Sequence, residues 1–282
     1  MSIKLMRDLR DAAMPVPQYD PRTADAAFQL RYSWTGWPSE SPFATQPIAL
    51  LEATQPLWES DGLRVLESRW TTELIQVLFS ASRDVSPVFV AARAKGRLDH
   101  ALRESGLNLP FSRKVAVRSV GDNTRDDVET YVARQVVKEQ FVDPRWSAVL
   151  REFTVVNEVV DLSQPTESAR GRYWHNLHLV LVVDGRCRLS DLNVLRTLRD
   201  GCFKIAAKKG HLLSRVSVMP DHLHLALRAN PEESPNDVAF AYQNNLAYLA
   251  NVGRLWQDSF YVGTFGEYTT QAIRRVARRE NE

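Results

Sequence analysis

The order of elements in one half of the chain returns in the other half, nearly in register, and that repeat bounds the folds open to it. In the first half, residues 28–34 alternate like a strand, and residues 47–60 read as a helix ended near Gly62. Strands follow over about 63–70 and 73–80. A helix then runs from Ser86-Pro87 to Glu104, with Ser86 as N-cap and Pro87 in its first turn. Residues 114–120 read as a strand, Gly121-Asp122-Asn123 as a turn, and a helix continues through about Glu139. The second half repeats this order: strand 177–183, helix 189–209, strands near 212–218 and 222–228, a helix from Ser234-Pro235 to about Asn251, strand 260–264, a turn at Gly266 and a basic helix.

The match extends to caps and turns. An offset of 148 residues pairs Ser86-Pro87 with Ser234-Pro235, Val90-Ala91 with Val238-Ala239, Gly62 with Gly210 and Ala81 with Ala229. Further on, an offset of 145 pairs Val117, Gly121 and Thr124 with Val262, Gly266 and Thr269. Elements in register with identical punctuation argue for tandem duplication. The expected organisation is an irregular arm over 1–25, a first copy over 26–140, a connector over 141–172 and a second copy over 173–282. The connector has linker composition at Ser163-Gln164-Pro165-Thr166-Glu167-Ser168, and its residues 153–160 are apolar enough for an extra strand.

Composition adds limits. A chain of 282 residues with 44% hydrophobic and 25% charged residues is ordinary for a globular protein of two domains. A formal net charge of +2 does not announce a nucleic-acid binder, so that case must rest on a local site. Cys187 and Cys202 form no CxxC pair and read as reduced, packed thiols. No apolar run spans a bilayer and no signal core opens the chain, so a cytoplasmic protein without membrane contact is expected.

The sharpest motif is Val218-Met219-Pro220-Asp221-His222-Leu223-His224-Leu225. On a strand, His222 and His224 point to one face and the leucines to the other. Two neighbouring neutral imidazoles can hold a divalent metal or polarise a phosphate. Asp221 can orient one of them or cap the turn.

This string resembles the HUH motif of the single-tyrosine HUH transposases, the small enzymes of short insertion sequences and of repetitive extragenic palindromes. The resemblance continues through Leu255-Trp256-Gln257-Asp258-Ser259-Phe260-Tyr261-Val262-Gly263-Thr264-Phe265-Gly266 and covers about 173–282. In that family the last helix carries a nucleophilic tyrosine and, four residues on, a glutamine that completes the metal site. Here those positions hold Val276 and Glu280. The first copy shows the converse. Its late strand, Phe111 to Asp122 in one unbroken run, is followed by Tyr131-Val132-Ala133-Arg134-Gln135, which matches the tyrosine and glutamine. Their i, i+4 spacing places them on one helix face. Its strand Thr72-Glu73-Leu74-Ile75-Gln76 has Leu74 and Gln76 where the second copy has the histidines.

The losses are complementary. Family members resemble dimers in which one subunit's tyrosine helix docks over the other's HUH strand, so the resemblance implies a single-chain pseudo-dimer with one composite site. Tyr131 would be the nucleophile, and His222, His224 and Gln135 would hold Mg²⁺ or Mn²⁺. Glu280 is a lower-ranked alternative ligand. The implied reaction is nicking and strand transfer of single-stranded, hairpin-bearing DNA through a 5′-phosphotyrosine. The implied fold class is α+β, two antiparallel sheets each with helices packed on it. The chain would act as a monomer or self-associate weakly.

Arg113, Lys114 and Arg118 near the first late strand, and Arg274, Arg275, Arg278 and Arg279 on the last helix, are candidate phosphate contacts or solvated faces. Trp34, Trp37, Trp174 and Trp256 can stack bases, although core positions suit most of them better. His178 shares the sheet face of the histidine pair, where packing or a DNA contact suits it better than metal binding. His100, His175 and His211 read as surface or packing residues. Two other functions compete: a domesticated hairpin binder that does not cut, and a metal-binding structural pseudo-dimer.

Overall fold

The computed structural model describes residues 17–139 and 144–279. The first half carries β1 (Asp25–Gln29), β2 (Arg31–Pro38), α1 (Ile48–Ser60), β3 (Leu63–Trp70), β4 (Ile75–Ala81), α2 (Pro87–Glu104), β5 (Phe111–Val120), α3 (Arg125–Ala133) and α4 (Gln135–Lys138). Between the halves lie α5 (Pro144–Leu150), β6 (Thr154–Val156), β7 (Thr166–Ser168) and β8 (Gly171–Trp174). The second half carries β9 (Asn176–Val183), α6 (Leu192–Lys209), β10 (Leu212–Val218), β11 (His222–Arg228), α7 (Pro235–Ala250), β12 (Trp256–Thr264) and α8 (Thr270–Arg279).

The fold is α+β, with two mixed sheets. One has the order β3-β4-β2-β5-β8-β7 and the other β1-β12-β9-β11-β10-β6. Four strands of each follow the same antiparallel path, β3-β4-β2-β5 and β10-β11-β9-β12. Alternation drives this pairing: in β9, Leu177, Leu179, Leu181 and Val183 are buried and share one apolar core with Leu223 and Leu225 of β11 and Leu195 and Leu198 of α6. The helices start where the caps say. Ser86 Oγ accepts from Phe89 N, and Ser234 and Thr124 each form a capping box with the aspartate three residues on. Gly210 ends α6 at φ 71°, a left-handed conformation that glycine adopts without a Cβ penalty.

The halves exchange elements. β1 runs into β2 of the first sheet yet pairs in parallel with β12 of the second, while β8 runs into β9 of the second yet pairs in parallel with β5 of the first. The hydrogen bonds at the seam are reciprocal under the 145-residue offset. Ser119 Oγ donates to Phe265 O at 2.6 Å, and Thr264 Oγ1 donates to Val120 O at 2.7 Å. Arg31 N donates to Thr264 Oγ1, and Asn176 N to Ser119 Oγ. Arg125 N donates to Gly266 O, and Thr270 N to Gly121 O. This is the pattern of an isologous two-fold interface, in which i meets j and j meets i. It carries α3 onto the second sheet and α8 onto the first.

Several expected boundaries shift. The single strand over 28–34 is two strands broken at Leu30, because β1 and β2 belong to different sheets, which alternation along the chain does not reveal. The expected arm is partly structural: Tyr19 is buried and its hydroxyl accepts from Trp256 N at 2.7 Å, while residues 1–16 lie outside the described residues. The extra strand in the connector shrinks to Thr154–Val156, paired with β10. The helix through Glu139 breaks at Arg134 (φ −100°, ψ 10°) into α3 and α4. Cys202 is packed, but Cys187 is exposed. Among the described residues, no helix is long and apolar enough to cross a membrane.

Candidate active site

The site forms on the face of the second sheet that is turned away from α6 and α7. β11 pairs with β9 so that His224 opposes Val180 and Ala226 opposes His178. His222, His224 and Ala226 therefore share a face with His178 and Val180, while Leu223 and Leu225 are fully buried behind them. On β12, Tyr261 opposes Val180 and Gly263 opposes His178 on that face.

Helix α3 crosses this face. Val128 and Val132 pack on Ala226, Leu162 and Phe265, and Arg125 pairs with Glu267 at 3.0 Å and Asp161 at 3.4 Å. This docking brings Tyr131 from the first half to the histidines of the second. Its ring stands edge-on to His224 at 5.5 Å between centroids and to His178 at 5.8 Å. Tyr131 remains 41% exposed, open to an approaching substrate. Gln135 is buried, and its Nε2 donates to Tyr131 O at 2.9 Å across the break between α3 and α4. Lys138 returns over the site, with Nζ 3.5 Å from the Tyr131 ring centroid. The resulting open cleft has a volume of about 910 Å³ and is walled by Asn123, Tyr131, Arg134, Lys138, His224 and Tyr261, among others.

Both histidines of the motif are tethered through Nδ1. His222 Nδ1 lies 2.7 Å from Asp221 Oδ1, and His224 Nδ1 lies 3.0 Å from His178 Nε2. The His222 and His224 rings are perpendicular, 4.9 Å apart. Burial pushes His178 down to about 4. Burial also holds His224 well below the ordinary imidazole value, and His178, His222 and Lys138 push it the same way. At neutral pH these rings keep lone pairs that a metal can use. Burial also raises the Tyr261 phenol, which makes that residue a hydrogen-bond donor and not a phenolate.

The donor set decides what can bind. Among the described residues, no group of three or more His, Cys, Asp or Glu side chains could close around a metal ion. By donor chemistry alone, two imidazoles and an amide would suit a divalent ion that keeps positions open for phosphate oxygen and water. They do not fit a closed structural site.

The remaining candidates scatter. Arg113 and Lys114 are exposed on β5 in the other sheet, outside the cleft. Arg118 stacks on Trp174, with its guanidinium carbon 3.4 Å from the ring centroid. Arg274, on α8, pairs with Glu67 at 3.0 Å, and Arg275 is exposed beside it. The side chains of Val276, Arg278 and Arg279 and the whole of Glu280 lie outside the described residues. Trp34 and Trp256 are core residues, Trp174 is buried beneath Arg118, and Trp37 is partly exposed. His175 and His211 are buried, His175 beside the Tyr32 hydroxyl and His211 against Glu233 at 2.6 Å. Sequence reasoning missed Arg134 and Lys138; it placed His178 on the face of the histidine pair, but as a packing or DNA-contact residue and not as a hydrogen-bond partner of His224.

Comparison with known proteins points the same way for the second half. Residues 172–277 match the family model described as "Transposase IS200 like". Over 132 residues the chain is 29% identical to the ISDra2 transposase TnpA of Deinococcus radiodurans, covering 42% of this chain and 94% of that protein. A solved structure assigned as a transposase from Deinococcus radiodurans R1 is 26% identical, with a TM-score of 0.30, over 37% of this chain and 89% of that one. A REP-associated tyrosine transposase bound to a REP hairpin is 12% identical, with a TM-score of 0.30, over 36% of this chain and 62% of that one.

Proposed function

We propose that this chain, whose residues 172–277 match the IS200-like transposase family model, nicks and rejoins single-stranded DNA at one composite site built from both halves. The observation that carries the reading is Tyr131 of the first half standing edge-on to His224 of the second. The chain then arose by duplication and fusion and works as a single-chain pseudo-dimer in the cytoplasm. Its substrate in this reading is single-stranded DNA next to a hairpin; the REP-associated relative is bound to a REP hairpin.

In this reading His222, His224 and Gln135 would hold Mg²⁺ or Mn²⁺. A metal held there would supply Lewis-acid chemistry, drawing charge from the scissile phosphate. The Tyr131 hydroxyl attacks phosphorus, forming a P–Oη bond as the bond to the 3′ oxygen breaks. The phenol proton passes to solvent and the departing 3′ oxygen gains one, so one phosphodiester replaces another and a later 3′-OH can reverse the step. Lys138 and Arg134 line the same cleft and would balance the phosphate charge.

The test is a denaturing gel of labelled single-stranded hairpin DNA incubated with the protein and Mn²⁺. A covalent protein–DNA band is expected from the natural protein and from Tyr261→Phe, and none from Tyr131→Phe or His222→Ala. DNA retained without any adduct, in both metals and on several hairpins, would overturn the reading in favour of a hairpin binder that does not cut.

A further inference from the structure

His178 sits at the centre of the site without belonging to the histidine motif. Three rings hold it: His224 nearly parallel at 5.3 Å, Tyr131 edge-on at 5.8 Å and Tyr261 edge-on at 5.8 Å. Room for this packing comes from Gly263, which opposes His178 on β12. A Cβ at that position would stand 2.3 Å from the Tyr261 hydroxyl, so only glycine lets the phenol lie along the strand and close on His178.

The first sheet repeats the contact with other residues. Gln76 opposes Thr35 and Leu78 opposes Ser33, the register that His224 keeps with Val180 and Ala226 with His178. There Gln76 Nε2 donates to Ser33 Oγ at 3.1 Å. In both sheets, then, the residue at the second histidine position makes a side-chain hydrogen bond to the diagonal neighbour on the adjoining strand. The geometry favours that bond whichever polar residues occupy it.

We infer that His178 is a positioning residue: by accepting the Nδ1 proton of His224 at its own Nε2, it fixes the tautomer and ring angle that turn His224 Nε2 toward the metal. Asp221 makes the matching contact to His222 Nδ1. The two ligands are thus held by unlike partners, a carboxylate for one and an imidazole for the other. A ligating histidine whose other nitrogen is tied down binds metal better than a free one, and losing the tie costs about 10–100-fold in affinity. His178 keeps its own proton on Nδ1.

This inference rests on the reading that His222 and His224 hold a divalent metal, and the experiment separates the two. Mn²⁺ binding to the full chain is measured by electron paramagnetic resonance without DNA, for the natural protein, His222→Ala, His178→Ala and His178→Gln. Nitrogen-15 imidazole spectra of the natural protein, saturated with Mg²⁺, report the His224 tautomer directly and need no variant to fold. The expected result is a proton on His224 Nδ1, an affinity loss of about 10–100-fold in His178→Ala and partial recovery in His178→Gln, whose amide can still accept. If the natural protein binds no Mn²⁺, or His222→Ala binds as well as it does, the metal reading fails and this inference falls with it. If His222→Ala loses Mn²⁺ while His178→Ala keeps it, or if His224 carries its proton on Nε2, the positioning role alone is overturned.

Discussion

Tyr131 and His224 meet at 5.5 Å between ring centroids although they lie in different halves of the chain. Neither half supplies both residues elsewhere: Val276 takes the place of the tyrosine in the second half and Gln76 that of the histidine in the first. The arrangement puts one intact set of groups in a single chain, which leads to a prediction about mixing. Equimolar Tyr131→Phe and His222→Ala proteins should show no covalent adduct on the denaturing gel, because each chain needs its own missing group. Recovery of an adduct toward half the natural level would mean that chains exchange their tyrosine helices, and the single-chain reading would be wrong.

The seam that sets this distance depends on two glycines. A Cβ on Gly121 would stand 2.4 Å from Thr264 O, and one on Gly266 would stand 2.3 Å from Ser119 O. Both obstacles are backbone, so neither can rotate away. Gly266→Ala and Gly121→Ala should each cost about 1–3 kcal/mol, read as a lower thermal unfolding midpoint. Each should also weaken adduct formation, since Arg125 N donates to Gly266 O at the start of the tyrosine helix. An unchanged midpoint in both variants would show that the seam is looser than the reciprocal hydrogen bonds indicate.

The repeat was legible because the same caps and turns recur in both halves while most residues between them differ. Ser86-Pro87 and Ser234-Pro235 open equivalent helices, and Gly121 and Gly266 sit at equivalent turns. The face shared by His222 and His224 was legible too, from the two-residue period of a strand. Strand exchange was not. β1 reads as the start of β2 because hydrophobic alternation records burial and says nothing about which sheet provides it. The face of His178 was legible in the same way as that of the pair, but its hydrogen bond to His224 depends on cross-strand register, and Lys138 reaches the site through a helix break at Arg134; neither relation leaves a short motif.

Charge on the first sheet offers a separate test. Arg118 stacks on Trp174, and burial lowers its guanidinium from the ordinary value. Arg274 is already paired with Glu67. If the first sheet contacts DNA phosphate, Arg118→Ala should weaken hairpin binding in filter-binding assays and reduce the slope of log affinity against log salt by about 1. Arg274→Ala should change that slope less. Equal slopes for the natural protein and Arg118→Ala would remove this arginine from the interface.

Acid sensitivity follows from the buried imidazoles. His175 is enclosed between the Tyr32 hydroxyl and Glu233 O, each at 3.2 Å, and burial lowers it to about 3; His178 is lowered to about 4. Both values lie below the ~6.5 of an unfolded chain. Below that pH the unfolded chain takes up protons that the fold excludes, so stability falls as pH falls, until each folded value is passed. Glu233 has the same sign: burial opposes it, but hydrogen bonds from His211 and Lys209 hold it at about 2, so its contribution is present above the unfolded carboxylate range and lost in stronger acid. Urea unfolding at pH 7, 6 and 5 should show stability dropping toward pH 5, at up to about 1.4 kcal/mol per pH unit for each buried histidine once the pH is well below 6.5. His175→Asn should lower stability at pH 7 but flatten the slope. A natural protein equally stable at pH 7 and pH 5 would show that these imidazoles accept protons in the folded state.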